Sequence, residues 1–486
     1  MKILVVGLDC AAPELLLGDE QLPNFRRLMD IGCYGRLESV IPPITVPAWM
    51  CMSTSQDPGS LGIYGFRNRL DHSYTGLGFV NSSSIRELTA WDQVAREGKK
   101  SIIVGVPPSY PPRKINGVCV GCFLTPDTRT DAYTYPADIK QELHSLVGEY
   151  PVDVKGFRTD QKDWLRDQIF DMSRKQFSAI RHLMQNHEWD YFHFVDIGLD
   201  RVHHGFWKHH DPEHVLHEPD SPYKHVIRDY YKHLDEEFGQ ILELLTDDTV
   251  VLIVSDHGAQ RLDGGFCINE WLIQEGLLVL NSYPEKVTPF SELDINWSKT
   301  KVWGEGGYYA RIFFNVRGRE PEGVIDPADC ENFRDEMKAR LEATVDEEGE
   351  PFGTEVFKPE ETYRAVRNIA PDLIVLFGGL YWRSIGTVGH KSIHTRENDT
   401  GPDDCNHAMF GSFILAASNN PLQGEVSQAH LLDIAPTLLE LGGYDIPISM
   451  QGASLLQGTL RASTVAAPHG EDIIRERLSG LGYIET

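Results

Sequence analysis

Acidic and imidazole side chains occur in short segments of the chain, in combinations that can bind divalent metal ions. The segment VVLIVSDHG places Asp256 and His257 side by side at the end of an apolar run. Packing does not readily explain two adjacent polar side chains at a strand end, and the following Gly258 permits a sharp backbone turn. The amino-terminal run MKILVVGLDC also leads from apolar residues into an acid, Asp9. Because carboxylates and imidazoles are ligands of zinc and related cations, these segments predict part of a metal site.

The segment VDIGLDRVHHGFW contains a second set of candidate ligands. If it is helical, Asp200 and His204 are four residues apart and face the same side, where both can reach one ion. His203, at a spacing of three, is the alternative imidazole, and an ordinary surface Asp–His pair is the competing interpretation. A further histidine, His407, precedes the apolar run FILAA, where a single histidine is more often structural.

The segment VIPPITVPAWM contains the candidate nucleophile, Thr45. Thr45 follows an apolar stretch and precedes Pro47, which suits the first turn of a helix. A helix N-terminus presents free N–H groups and the positive end of the helix dipole, which favour an alkoxide and bind phosphate oxygens. The alternative is that Thr45 is only an N-cap, which is a common role of threonine.

The elements that position these residues are predicted from the alternation of apolar runs and helical stretches. This alternation predicts an α/β fold, with a mostly parallel central sheet flanked by helices on both faces. Helical periodicity covers residues 164–186 and 221–245. Ligands bind beyond the carboxyl ends of strands in such sheets, where the candidate residues are found. The predicted strands are Lys2–Gly7, Ser101–Val106, Tyr191–Val195, Thr249–Val254, Leu373–Phe377 and Phe413–Ala416.

The length of 486 residues is large for one hydrophobic core, so we expect a core with insertions. The stretch 260–397 is rich in Gly, Pro and aromatic residues and separates two groups of candidate ligands, which indicates a cap or insertion. We expect the catalytic core to cover 1–259 and 398–458, with an insertion at about 125–163. Residues 459–486 are expected to form a polar C-terminal tail.

The formal net charge of −27 argues against binding of nucleic-acid polymers or anionic membranes, since both repel such a surface. A small phosphorylated substrate is compatible with this charge, because a local metal site reverses the sign of the field. No apolar run reaches the roughly 20 residues that cross a bilayer, and the amino terminus does not resemble a secretory signal. The cysteines lack paired spacings, so we expect a reduced, cytoplasmic compartment. A homo-oligomer is compatible with the composition.

Together these segments resemble the alkaline phosphatase superfamily, and most closely its type I phosphodiesterase/nucleotide pyrophosphatase branch. The most specific parts are the strand ending in Asp9, the T-V-P turn at Thr45 and the S-D-H-G tetrad. The run QDPGSLGI also resembles the P-x-x-x-G-I segment that follows the nucleophile in that branch. The resemblance extends from Lys2 to about Ala416 and excludes the predicted cap.

The resemblance implies a phosphoesterase with two divalent metal ions, zinc by first expectation and manganese as the alternative. Thr45 would be both nucleophile and metal ligand, and water would hydrolyse the phosphorylated threonine. The family's last ligand also occurs in a His-x-x-x-Asn setting, which makes His394 the alternative to His407. One ion would be held by Asp9, Thr45, Asp256 and His257, and the other by Asp200, His204 and His407.

The chain departs from the pattern of this branch near the nucleophile. The branch usually has Asn three residues after the nucleophile, where this chain has Ala48. It also has a phosphate-contacting Asn just beyond the Gly-Ile pair, where this chain continues with the residues YGFR. Arg67, Asn68 or Arg69 could substitute for that contact.

The implied substrate is a small phosphodiester or pyrophosphate, such as a nucleotide. Aromatic residues of the predicted cap could stack a base, although core packing is their commoner use. A phosphomonoesterase or phosphonate hydrolase of the same superfamily is the alternative activity, and it would differ in the size of the pocket. A catalytically inactive binding protein is the alternative of another class, which metal analysis distinguishes. The aromatic candidates are Tyr308, Tyr309, Tyr381 and Trp382.

Overall fold

The computed structural model describes residues 1–347 and 349–457, so the predicted tail 459–486 lies outside the described residues. The strands are β1 (Lys2–Leu8), β2 (Cys33–Glu38), β3 (Arg67–Arg69), β4 (Leu77–Phe79), β5 (Ser101–Val104), β6 (Gly117–Val120), β7 (Thr134–Tyr135), β8 (Tyr191–Asp196), β9 (Thr249–Val254), β10 (Gly258–Arg261), β11 (Gly264–Cys267), β12 (Val302–Glu305), β13 (Ala310–Phe314), β14 (Glu355–Phe357), β15 (Leu373–Leu376), β16 (Trp382–Ile385), β17 (His394–Thr395), β18 (Cys405–Ala408), β19 (Phe410–Ala416) and β20 (Gly424–Glu425).

The α-helices are α1 (Pro13–Leu16), α2 (Pro23–Ile31), α3 (Thr45–Thr54), α4 (Pro58–Leu61), α5 (Ala90–Arg96), α6 (Ile139–Val147), α7 (Lys162–Asn186), α8 (Gly198–His210), α9 (Val226–Leu242), α10 (Ile268–Gln274), α11 (Cys330–Glu342), α12 (Pro359–Thr362) and α13 (Ile434–Gly442). The two helices predicted from periodicity are observed as α7 and α9. Within the described ranges, none of the helices has the length and hydropathy that a membrane span requires.

A nine-stranded sheet forms the centre of the described structure, in the order β20-β2-β19-β9-β1-β8-β5-β6-β7. The strands from β9 to β6 in this order are parallel to one another. In contrast, β19 is antiparallel to β9 and β2, and β7 is antiparallel to β6. The predicted α/β fold with a mostly parallel sheet is therefore confirmed.

Helices cover both faces of this sheet, and the side chains of β1 show why. Leu4, Val6 and Leu8 pack into a core that includes α2, α7, α8 and α9. Ile3 and Val5 point to the other face and pack with α3, α5 and α13. A strand buried on both faces needs apolar residues at every position, which explains the continuous apolar runs of the sequence.

The strand directions bring the candidate residues to one edge of the sheet. β1, β8 and β9 are parallel, so Asp9 and Asp256, just beyond β1 and β9, lie at the same edge as the start of α8, which follows β8 and carries Asp200. Because β19 runs in the opposite direction, its first residues lie at that edge as well. His407 on β18, immediately before β19, thereby reaches the same place.

The chain between β10 and β18 carries a four-stranded sheet in the order β12-β13-β15-β14 and a three-stranded sheet in the order β16-β11-β17. The predicted strand Leu373–Phe377 is observed as β15, which belongs to the four-stranded sheet and not to the central one, because β13 and β14 pair with its two edges. These two sheets lie within the segment 260–397, which was predicted as a cap. The segment 125–163 contributes α6 and the edge strand β7 of the central sheet.

Residues of the four-stranded sheet and its flanks pack against the segment that leads into α3. The hydroxyl of Tyr363 donates a hydrogen bond of 2.6 Å to the carbonyl oxygen of Ile41. Ile44, the residue before Thr45, is buried in the same contact, so this second region supports the start of α3. The hydrophobic cluster between the two parts comprises Ile44, Tyr64, Tyr309, Tyr363, Ile374, Leu376 and Leu380.

Candidate active site

Asp9, Asp256 and His257 form a first group of candidate metal ligands at the edge of the central sheet. One ligand atom of each lies within 4.8 Å of the others, and all three residues are buried. The Nε2 atom of His257 is 3.1 Å from Asp256 Oδ2 and 3.9 Å from Asp9 Oδ1. Among the described residues, neither of these two oxygens has a hydrogen-bond partner. The other oxygen of each carboxylate accepts one, from the Trp49 indole N–H at 2.7 Å and from the Cys10 backbone N–H at 3.2 Å.

Asp200, His204 and His407 form the second group, with their ligand atoms again within 4.8 Å of one another. Asp200 and His204 lie one turn apart on α8, as their spacing predicts. The Nε2 atoms of His204 and His407 are 3.2 Å and 3.8 Å from Asp200 Oδ1. The rings of His407 and His257 stack at 3.9 Å, so the two groups are adjacent.

The three imidazoles share one arrangement of their nitrogens. Nδ1 of His204 lies 2.6 Å from a carboxylate oxygen of Asp403, and Nδ1 of His407 lies 2.9 Å from the carbonyl oxygen of Pro43. Nδ1 of His257 lies 3.1 Å from the carbonyl oxygen of Gly258. An imidazole that donates from Nδ1 presents the lone pair of Nε2, which is the usual arrangement of metal-binding histidines. The donor set and its unpartnered carboxylate oxygens therefore fit divalent metal ions.

The electrostatics of the two groups favour positive charge between them. Burial raises the pKa of Asp9 well above its ordinary value, and the charges of Asp256 and Asp200 raise it further. Burial alone would lower the pKa of His257, yet the charge of Asp256 brings it well above its ordinary value. Buried carboxylates at such separations need a proton or a cation for compensation. Protons and a metal ion would therefore compete for these ligands.

Thr45 lies beside the first group. It is the first residue of α3, and the N-cap position before it is held by Ile44, whose side chain makes no capping hydrogen bond. The Thr45 Oγ1 atom is 3.3 Å from His257 Nε2. The alternative role of Thr45 as an N-cap is therefore not observed, and its hydroxyl faces the candidate ligands.

Asp403 was not predicted from the sequence, although it lies close to His407 in the chain. It is buried, and it contacts His204 as described above. It also pairs with Arg158 at 3.2 Å and with Arg383 at 3.5 Å. Burial alone would raise the pKa of Asp403, but the charges of His204 and Arg158 hold it below its usual range. Asp403 thus stays ionised and orients His204.

Arg201 is another charged residue at the second group that was not predicted. Its guanidinium is 2.5 Å from Asp200 and 2.8 Å from Asp153. Burial alone would raise the pKa of Asp200, but the charges of His204 and Arg201 bring it well below the ordinary value. Arg158, Arg201 and Arg383 are therefore each paired with a carboxylate near this group.

The two alternative imidazoles lie outside both groups. His203 packs against Trp207 at 5.2 Å and Tyr231 at 5.7 Å between ring centroids, and burial lowers its pKa to about 3. His394 lies on β17 of the three-stranded sheet, with its Nε2 atom 3.1 Å from the carbonyl oxygen of Val345. The geometry therefore favours His204 and His407 as ligands.

A third, overlapping group combines Cys10 with His257 and His407. The Cys10 thiol donates to the carbonyl oxygen of Gly258 at 3.3 Å, and burial raises the pKa of the thiol well above its ordinary value. Because the thiolate is the form that binds metals, Cys10 is a poorer ligand here than the neighbouring carboxylates.

Two adjacent tyrosines that were predicted to contact substrate have different positions. The ring of Tyr308 stacks on His407 at 4.2 Å, and its hydroxyl accepts a hydrogen bond of 2.5 Å from Arg158. Tyr309 is buried in the cluster that supports α3, where its hydroxyl donates to the carbonyl oxygen of Tyr64. Tyr308 therefore lies at the candidate site, whereas Tyr309 contributes to packing.

The three candidate phosphate contacts on β3 make contacts within the protein. Arg67 pairs with Glu305 at 3.2 Å, and 43% of its side chain remains exposed. Asn68 hydrogen-bonds the backbone of the turn that precedes β3. Arg69 is buried and pairs with Glu320 at 3.1 Å. The side chain of Arg67 is thus far more exposed than that of Arg69.

A family model described as type I phosphodiesterase / nucleotide pyrophosphatase matches residues 3–403 of the chain. No curated protein sequence matches this chain. Murine ectonucleotide pyrophosphatase / phosphodiesterase 5 is similar in structure, with a TM-score of 0.52 and 14% identity over 92% of this chain and 96% of that chain. Its inactive threonine-to-alanine form in complex with AMP matches with a TM-score of 0.52 and 13% identity over the same shares, 92% and 96%.

Phosphonoacetate hydrolase from Sinorhizobium meliloti 1021, solved in complex with phosphonoformate, is also similar. Its TM-score is 0.58, with 15% identity over 90% of this chain and 95% of that chain. Because the identities of these solved structures are only 13% to 15%, the comparison shows that they and this chain share a fold, and nothing more.

Replacing His407 with alanine should lower the metal content by roughly one ion per chain, because the second group loses one of its imidazoles. His394→Ala is the matched control, since it removes an imidazole that lies on β17 away from both groups. Metal content should be measured after chelation and reloading with zinc or manganese. A larger loss with His394→Ala than with His407→Ala would contradict the choice of His407.

Replacing Asp403 with asparagine should weaken metal binding by roughly 10- to 100-fold, because the partner that orients His204 loses its charge. Asp404→Asn is the control, since Asp404 is the adjacent buried carboxylate. Affinities should be measured by competition with a chromogenic chelator. Equal affinities of the two variants would show that the contact with His204 does not support the metal site.

Proposed function

Since the chain belongs to the type I phosphodiesterase / nucleotide pyrophosphatase family and is a hydrolase of that type, we propose that it cleaves phosphodiester or pyrophosphate bonds with Thr45 as the nucleophile. The observation that carries this proposal is the position of the Thr45 hydroxyl. Its Oγ1 atom lies 3.3 Å from Nε2 of His257, at the first turn of α3. A hydroxyl there is next to the ligands and to the free N–H groups of a helix N-terminus.

The proposal includes two divalent cations, zinc by first expectation and manganese as the alternative. Support comes from the atoms of the two groups that lack hydrogen bonds, which are Asp9 Oδ1, Asp256 Oδ2 and His204 Nε2. When bound, the cations would lower the pKa of the Thr45 hydroxyl and neutralise charge on the phosphoryl oxygens. The first ion would be held by Asp9, Thr45, Asp256 and His257, and the second by Asp200, His204 and His407.

The reaction proposed for Thr45 has two steps. Oγ1 attacks the phosphorus, and the new bond forms as the bond to the leaving oxygen breaks. The Thr45 hydroxyl gives up its proton in this step, and the leaving group departs with the bonding electrons and takes up a proton, so the number of protons is unchanged. Water then attacks the phosphorylated Thr45, which restores the hydroxyl and releases the phosphorylated product. N–H groups at the start of α3 would donate to the phosphoryl oxygens in both steps.

The proposed substrate class is a small phosphodiester or pyrophosphate, nucleotides among them. The AMP complex of the murine enzyme supports this class by analogy. In this chain, the ring of Tyr308 over His407 would offer an aromatic surface next to the second group.

The charge around the second group supports diesters over monoesters. Arg201 is paired with Asp153 and Asp200, and Asp403 is paired with Arg158 and with Arg383. The extra negative charge of a monoester needs a further cationic contact, and guanidiniums that are already paired supply less of it. A diester has no such requirement.

Thr45→Ala should lower the turnover of bis-(4-nitrophenyl) phosphate by roughly 1,000-fold or more, because the nucleophile is lost. Thr45→Ser should retain part of the activity, since the hydroxyl survives. Thr54→Ala is the control, because this threonine lies at the other end of α3 and hydrogen-bonds the Met50 carbonyl oxygen. Metal content and melting temperature should be compared for all variants. Turnover by metal-loaded Thr45→Ala at the wild-type rate would exclude Thr45 as the nucleophile.

The specificity constant kcat/KM should be higher for bis-(4-nitrophenyl) phosphate and a 4-nitrophenyl nucleotide than for 4-nitrophenyl phosphate. The physical reason is the pairing of the guanidiniums at the second group. Phosphonoacetate should be included in the panel, because it tests the phosphonate hydrolase alternative. A monoester preference of about tenfold or more, or cleavage of phosphonoacetate alone, would assign the enzyme to one of the alternative activities.

A further inference from the structure

A cavity of about 680 Å³ lies outside the candidate active site. Its wall includes residues of α1, the last turn of α8, the start of α9, and the strands β10 and β18. Neither Thr45 nor any residue of the two ligand groups belongs to this wall. Its volume is in the range that small organic ligands occupy.

The wall of this cavity is rich in positive charge, although the chain carries a net charge of −27. Two carboxylates, Glu14 and Asp211, are the acidic residues of the wall. A concentration of positive charge against the overall sign of a protein indicates a site for anions. The four permanently charged cations of the wall are Arg36, Lys224, Arg228 and Arg261, and His209, His210, His217 and His225 also line it.

Three of these cations are not used in ion pairs. Arg261 pairs with Glu213 at 2.8 Å and with Asp263 at 3.0 Å. In the part of the chain that the structure describes, no carboxylate oxygen lies within 4.0 Å of the charged nitrogens of Arg36, Lys224 or Arg228. These three differ in this respect from the guanidiniums at the candidate active site.

The start of α9 adds to the positive field. Lys224 and Arg228 flank the N-terminus of this helix, where the helix dipole is positive. Basic side chains are unfavourable at such a position, and an anion bound there offsets both charges. The acidic residue of the first turn, Asp229, does not line the cavity. Burial lowers the pKa of His210, and the charge of Arg228 lowers it further, which agrees with this field.

The rest of the wall indicates what kind of anion fits. Tyr381, Phe410 and Trp207 line the cavity, so part of the occupant is apolar or aromatic. The guanidinium of Arg36 lies 4.7 Å from the centroid of the Phe410 ring, which holds it beside that apolar surface. Among the described residues, the histidines of the wall do not form a group with the spacing that a metal ion requires. The occupant is therefore an organic anion and not a metal ion.

We propose that this cavity is a second binding site, which takes a small organic phosphate with an aromatic body. Arg36 and Arg228 bind the phosphate, because guanidinium groups match its oxygens in charge and geometry. Tyr381 and Phe410 contact the aromatic body. This site is independent of Thr45 and of the proposed reaction, since the two share no residue.

The probe for this site is 8-azidoadenosine monophosphate, which carries a phosphate and a photoreactive aromatic ring. The metal-loaded full-length enzyme should be irradiated with it, and the labelled peptides identified by mass spectrometry. The labelled residues should be located within the peptides, because the peptides that contain Trp207 and Phe410 also contain His204 and His407. We expect label on Trp207, Tyr381 or Phe410 themselves, and excess inorganic phosphate should reduce it. Label confined to other residues, or label on these three that phosphate does not reduce, would overturn the proposal.

The double variant Arg36→Ala/Arg228→Ala should need a roughly tenfold higher probe concentration for half-maximal labelling of Trp207, Tyr381 or Phe410. Arg27→Ala/Arg174→Ala is the matched control, since it removes two exposed arginines that do not line the cavity. Both double variants should hydrolyse bis-(4-nitrophenyl) phosphate at the wild-type rate without added nucleotide. Equal labelling of the two double variants would overturn the proposal, whether or not Thr45 proves to be the nucleophile.

Discussion

The close approach of buried carboxylates is the constraint on which the rest of the site depends. Asp9 and Asp256 each leave one oxygen without a hydrogen bond beside His257, in a region without solvent exposure. An uncompensated buried carboxylate costs several kcal/mol, so the surrounding structure has to hold these groups in place. The Trp49 indole and the Cys10 backbone N–H do so, because each binds the second oxygen of one carboxylate. The free oxygens are thereby directed at the position where a cation would compensate them.

The fold supplies this arrangement through strand direction and through the support of a second region. Parallel strands bring Asp9 and Asp256 to one edge of the sheet, and the reversed direction of β19 brings His407 to the same edge. Thr45 comes from another element, α3, whose first turn is held by the packing of Ile44 against the four-stranded sheet. The same region contributes Tyr308, which stacks on His407. The segment predicted as a cap therefore contributes to positioning the candidate site.

The sequence predicts the parts of the site whose residues are close together in the chain. Asp256 and His257 are neighbours at a strand end, and Asp200 and His204 are one helical turn apart, so their local patterns already determine their geometry. Five strands of the central sheet, β1, β5, β8, β9 and β19, are predicted from their apolar runs, whereas β2, β6, β7 and β20 are not. The strand β15 shows in addition that an apolar run does not reveal to which sheet it belongs. The role of Asp403 depends on a contact with His204 across 199 residues of sequence, which no local pattern contains.

The arginine side chains at the candidate active site are paired with carboxylates, whereas, within the described ranges, Arg36 and Arg228 at the cavity beside α9 are not. At the second ligand group, guanidiniums such as Arg201 are paired with carboxylates, so metal ions remain as the source of charge for a phosphoryl group. At the cavity, Arg36 and Arg228 are unpaired among the described residues, and the start of α9 adds its dipole. In a chain with a net charge of −27, unpaired arginines beside one cavity are available to an anion without the loss of an existing ion pair. Under the two proposals, anions would bind at two sites that rest on different chemistry, one on divalent cations and one on the protein's own side chains.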